Sequence, residues 1–154
     1  MTNAMSRIKT RAKQKHPIVI DGRLDWGNAE KLSFLFLFGG VGYGLVELIW
    51  RGRTHPSMVI TGGICFLLVY GINKALRRRP LLLRSAVSCA AITAVEFSVG
   101  AVVNLMLELS VWDYSANRFN VLGQICPLYT FLWFLLSIPL MLISARLSKK
   151  IDNS

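Results

Sequence analysis

The hydrophobic positions of this chain are gathered into four long runs, residues 32–50, 58–76, 81–106 and 121–144, separated by short polar connections. Each run reaches the ~17–20 residues that a helix needs to cross a bilayer. No strict alternation of apolar and polar residues marks them as strands, and they are too long for that reading. A single helix satisfies its own backbone in lipid, whereas an open strand does not. The pattern therefore predicts an all-α, four-transmembrane-helix bundle. The connection at 76–81 is short and carries Pro80, which predicts a tight antiparallel hairpin of the second and third helices. The connection at 51–57 is also short and contains Pro56 at a position suited to a helical first turn. The fourth helix is expected to begin near Asn120, with Gly123, Gln124, Cys126 and Pro127 in its first turns and a kink at Pro139.

Composition agrees with the pattern: 53% of the 154 residues are hydrophobic. The formal charge of +10 could suit nucleic acid, but its distribution argues for topology instead. Seven Lys or Arg residues precede the first run. Lys74, Arg77, Arg78, Arg79 and Arg84 surround the middle connection, and Arg146, Lys149 and Lys150 follow the last run. The other two connections hold only Arg51, Arg53 and Arg118. This alternation follows the positive-inside rule and predicts cytoplasmic N- and C-termini in a multi-pass protein of the cell membrane. The expected organisation is a basic tail at 1–31, a membrane domain at 32–146 and a short tail at 147–154. Residues 18–26 are expected to form an interfacial segment. No cleavable signal peptide is evident.

Two carboxylates lie inside the apolar runs. Glu47 shares a helical face with Gly40, Tyr43, Gly44 and Arg51, and its i,i+4 spacing to Arg51 allows an ion pair. Gly40 and Gly44 form a small-xxx-small pair that permits close helix approach. Glu96 belongs to a stripe of Ser85, Cys89, Thr93, Gly100 and Asn104, an arc of about 100° on an ideal helix. Glu96 has no basic residue three or four positions away. A carboxylate in hydrocarbon costs roughly 2.5–3.5 kcal/mol on insertion scales, so it must be neutral, hydrogen-bonded or paired across helices. Glu47, Glu96, Asn104, Trp112, Asp113, Tyr114, Asn120 and Gln124 are the candidate substrate-binding residues of an outward-facing polar pocket, in which Gln124 reaches Asn104 or Glu96. Trp50, Trp112 and Tyr114 also fit an interfacial aromatic belt.

Cys65, Cys89 and Cys126 form no paired motif, and interior packing is their expected role, with a Cys65–Cys126 disulfide left open. His16 and His55 supply no metal-ligand cluster, and no phosphate-binding loop or nucleophile elbow is present, so no cofactor or metal is expected. A short repeat pairs Gly62-Gly63-Ile64-Cys65 with Gly123-Gln124-Ile125-Cys126. Duplication of a helix pair and chance similarity between apolar helices both account for it.

Two segments carry a family resemblance. One is Trp50-Arg51-Gly52-Arg53-Thr54-His55-Pro56-Ser57-Met58 with Gly62-Gly63-Ile64-Cys65-Phe66. The other is Val111-Trp112-Asp113-Tyr114-Ser115 with Phe119-Asn120-Val121-Leu122-Gly123-Gln124-Ile125-Cys126. Both resemble the putative ABC-transporter type IV (CmpB-like) permeases, small bacterial membrane proteins, over roughly residues 39–144. The resemblance implies a transport-related subunit, either homo-oligomeric or served by a separate ATPase, because no nucleotide-binding domain is present. Glu47 and Glu96 would then bind a cation, a proton or a basic group. Two other classes stay open. One is a membrane-embedded enzyme acting on a lipid or isoprenoid, with Glu96 as general acid or base and Asp113 and His55 at the interface. The other is a non-catalytic binding or sensing protein.

Overall fold

The computed structural model describes residues 27–152; the basic segment before them, including residues 18–26, lies outside that range. Four helices follow in order: α1 (Asn28–Arg51), α2 (Pro56–Ala75), α3 (Leu81–Gly100) and α4 (Pro127–Asp152). α3 is extended by one widened, π-helical stretch over Ala101–Met106. All four are long and apolar enough to cross a membrane.

Local chemistry sets the ends. Glu30 reaches back to the Gly27 N–H at 3.1 Å and closes the first turn of α1. Gly52 ends α1 in the left-handed region at φ 68°, and its N–H donates to the Leu48 carbonyl at 3.0 Å. His55 caps α2, its Nδ1 accepting from the Ser57 N–H at 3.3 Å, and Pro56 takes the first helical position. Pro80 stands immediately before α3. α4 runs on through Pro139.

The start of α4 departs from the sequence expectation. Residues 120–126 are not helical. Leu122 and Gly123 take positive φ values of 52° and 70°, and Val121 pairs with Ile125 in an isolated antiparallel bridge. Pro127 has no N–H to donate back into such a helix, and its ring disfavours a helical turn behind it. Helix α4 therefore begins at Pro127 itself. The apolar side chains of 121–126 belong to a folded connection.

Helices α1 and α2 interlock through glycine. A Cβ at Gly40 would stand 2.6 Å from the Val59 carbonyl oxygen, and one at Gly63 would stand 2.6 Å from the Phe36 ring. Gly39 and Gly62 face each other's backbones. Only hydrogen at these positions lets the two backbones approach so closely. Leu35 and Phe66 are buried at this contact. Helix α4 rests on α3 and α2 around Cys65, Val69, Ile92 and Met141. Buried Ser85, Ser88, Ser137 and Ser144 keep that side narrow. Near one end, the Asn73 amide donates to the Met141 carbonyl and to Ser144 Oγ, both at 3.2 Å, and the Arg84 guanidinium donates to Asn73 Oδ1. The cysteines are free and buried, so no disulfide joins Cys65 to Cys126.

Candidate functional site

Glu96, only 4% exposed, is held from two other helices. The Tyr43 hydroxyl on α1 donates to Glu96 Oε1 at 3.0 Å. The Trp133 indole N–H on α4 donates to Glu96 Oε2. The rings of Tyr43 and Trp133 stack, with centroids 5.5 Å apart and planes 21° from parallel. One carboxylate on α3 thus ties α1 to α4. An indole N–H is a donor only, so at least one Glu96 oxygen acts as an acceptor.

Glu47 is satisfied separately. Its Oε1 accepts from Arg51 at 2.8 Å, one turn along α1, and its Oε2 accepts from Thr54 Oγ1 at 2.9 Å. Arg51 also donates to the Val111 carbonyl at 2.7 Å, which fastens the end of α1 to the connection after α3.

That connection is a cap closed by its own polar groups. Asn104, on the π-helical extension, accepts from the Val111 N–H at 2.7 Å. It donates to the Trp112 carbonyl at 3.0 Å and to Gln124 Oε1 at 2.8 Å. Buried Trp112 donates its indole N–H to the Gln124 carbonyl at 3.0 Å. Gln124 donates to the Leu122 carbonyl at 2.9 Å. Asn120 bonds the carbonyls of Ser115 and Asn117 and accepts from the Gly123 N–H. The exposed Asp113 carboxylate accepts from the Ser115 N–H and hydroxyl, each at 2.8 Å, and these bonds hold its pKa below the usual carboxylate value. Tyr114 stacks on Tyr129 at 4.1 Å, and burial pushes its phenol above its ordinary pKa. Gly123 is required here twice over: its φ is 70°, and a Cβ would lie 2.7 Å from Asp113 Oδ1.

Open space lies beside these groups. Between α1 and α4 runs a cleft of two adjoining cavities of about 210 and 280 Å³. Tyr43, Val46, Trp133 and Leu136 line both and form its waist. The cavity nearer the cap also touches Glu47, Arg51 and Tyr114; the farther one is apolar and includes Gly42 and Pro139. A third, polar cavity of about 240 Å³ sits at the end of α1 among Glu47, Arg51, Arg53, Thr54 and His55.

Of the eight candidate residues, Asn104, Trp112, Asn120 and Gln124 meet in the cap, and the expected reach of Gln124 to Asn104 is present. Glu47 and Tyr114 face open space. Asp113 turns its carboxylate to Ser115, and Glu96 stands behind the waist. Sequence reasoning missed Tyr43 and Trp133 as the partners of Glu96. Tyr43 was visible on the Glu47 face; Trp133 carried only the general need of a buried indole for an acceptor. Among the described residues no group of His, Cys, Asp and Glu could hold a metal ion.

No curated protein and no solved structure matches the chain. A family model does, from residue 33 to residue 153, spanning all four helices and the cap. The chain belongs to the family described as putative ABC-transporter type IV.

Proposed function

We propose that this protein is a permease-like subunit of the cell membrane whose moving part is the cleft between α1 and α4. The observation that carries the reading is the waist: two aromatic side chains on opposite walls of the cleft donate to one buried carboxylate, Glu96. Such a carboxylate is expensive in lipid and is kept for a task. Here the task is to latch Tyr43 to Trp133, so that exchanging the latch for a ligand or a proton opens the cleft. Glu47 and Tyr114 line its cap-side entrance, while Asn104, Trp112, Asp113, Asn120 and Gln124 act by keeping the cap rigid.

The distribution of basic residues supports cytoplasmic N- and C-termini and an outward-facing cap. Four spans enclose little on their own, so the working unit is a homo-oligomer or a complex with a separate ATPase. The test is a strain lacking the chain, complemented with wild type or Glu96→Gln at equal protein levels, in which solutes and lipids are compared between cells and medium. Wild type should restore a difference that Glu96→Gln does not. Equal restoration by both would show that the ionisable carboxyl is not needed to work the latch, whose two bonds a glutamine can keep, and no difference between deletion and wild type would remove the transport reading.

A further inference from the structure

The three cavities share lining residues pairwise and change character from one to the next. The polar cavity at the end of α1 shares Glu47 and Arg51 with the cap-side cavity, which shares the Tyr43–Trp133 waist with the apolar one. From Arg51 back to Phe38 their lining on α1 spans thirteen helical rises, about 20 Å at ~1.5 Å each. One leaflet of hydrocarbon is about 15 Å deep, so this span matches the length of an extended acyl chain. The cap-side and far cavities together fall within the ~300–1,000 Å³ range of small-molecule sites.

The polar end has a definite charge preference. Both oxygens of Glu47 are already engaged, by Arg51 and by Thr54. Arg53 lines the same cavity, is exposed, and makes no hydrogen bond or ion pair among the described residues. His55 accepts the Ser57 N–H at Nδ1, which leaves the proton on Nε2 as a donor. A cationic guanidinium and a ring donor at the head of an apolar slot are complementary to an anionic headgroup on a hydrocarbon chain. We infer that the cleft binds a single-chain anionic amphiphile from the bilayer, with its headgroup at Arg53 and its chain passing the Tyr43–Trp133 waist. This names a substrate class for the permease reading and rests on it.

Gly42 provides a clean test. It lines the far cavity, and a Cβ there would meet nothing within 4 Å, so a larger side chain would fill the slot without pushing a helix aside. Gly71 on α2 is equally open and does not line the cleft, which makes it the matched control. The full chain in nanodiscs is exposed to a palmitoyl lysophosphatidic acid with a chain-end diazirine. A monoacylglycerol carrying the same chain serves as the neutral probe, and labelled residues are mapped by mass spectrometry. The expected result is saturable labelling on α1 and α4 at the far cavity. It should weaken about tenfold for the neutral probe and for Arg53→Ala. It should be lost in Gly42→Leu and retained in Gly71→Leu. Equal labelling by both probes, or labelling unchanged by Gly42→Leu, would show ordinary lipid contact and overturn the inference. The two readings fail separately. Absent binding with Glu96-dependent transport intact would leave a permease for another substrate. Specific binding with no transport difference between deletion and wild type would leave a lipid-binding protein.

Discussion

Removing the Glu96 carboxylate should cost stability by an amount the geometry sets. Glu96→Ala deletes two acceptors at once and leaves the Tyr43 hydroxyl and the Trp133 indole N–H without their partner. Hydrogen bonds between helices in membranes average about 0.6 kcal/mol and reach about 1.7, so two of them give about 1–3 kcal/mol. Glu96→Gln should cost much less. Its amide oxygen can still accept the indole N–H, and its NH2 can donate to the Tyr43 oxygen, which is also an acceptor. Tyr43→Phe should cost about 0.6–1.7 kcal/mol, because it removes one bond and keeps the ring stacked on Trp133. The decisive measurement is the double-mutant cycle of Tyr43→Phe with Glu96→Ala, read by reversible unfolding in mixed micelles. The double mutant should lose less than the sum of the single losses, by about the value of one bond. Additivity within about 0.3 kcal/mol would mean that the two groups do not interact, and the latch would be gone with it.

Three further outcomes follow from the cap. Gly123→Ala should destabilise it by about 1–2 kcal/mol from the left-handed backbone alone, with crowding against Asp113 in addition, seen as faster amide exchange over residues 112–126. Gly100→Ala should lift the cap from α3, because a Cβ would lie 2.5 Å from Gln124 Oε1 and 2.9 Å from Trp112 Cζ2; unchanged exchange of the Trp112 amide would contradict this. The Asp113–Ser115 turn should depend on pH in a definite direction. Its folded pKa is lowered, so its contribution is complete above the ordinary carboxylate value and fades as pH falls through the folded one. Proteolysis at the cap should therefore accelerate in acid, and Asp113→Asn, which still offers an oxygen to the Ser115 N–H, should flatten the acid dependence.

The four spans were legible because length and hydrophobicity settle what a helix in lipid can be. The start of α4 was not. Residues 121–126 carry Val, Leu, Ile and Cys and read as part of the apolar run. What excludes them from the helix is backbone chemistry, namely positive φ at Leu122 and Gly123 and the missing N–H of Pro127. A glycine and a proline four positions apart do signal a break, but hydrophobicity counts override that signal. The glycine contacts were legible in part. Gly40 announced a close approach through its spacing to Gly44, whereas Gly39, Gly62 and Gly63 needed the facing helix to give them a role.

The polar residues divide along the same physical line. Glu47 and Arg51 could be paired on sight, since i,i+4 spacing is fixed by the helix that carries both. Asn104, Asn120 and Gln124 looked like pocket residues because they are amides near a membrane. An irregular segment, however, leaves its own N–H and C=O groups unpaired, and these are the nearest partners an amide can find. Such a segment consumes its polar side chains locally, and the cap does so almost completely. Glu96 is in the opposite position. The backbone around it is already bonded within α3, so the acceptors of its carboxylate have to be met from elsewhere. They are met by residues 53 and 37 positions away in sequence, on two helices that have to lean together for the bonds to form. A carboxylate in the middle of a span therefore points to where helices are tied across a bundle, while polar richness in a connection points first to how the connection holds itself.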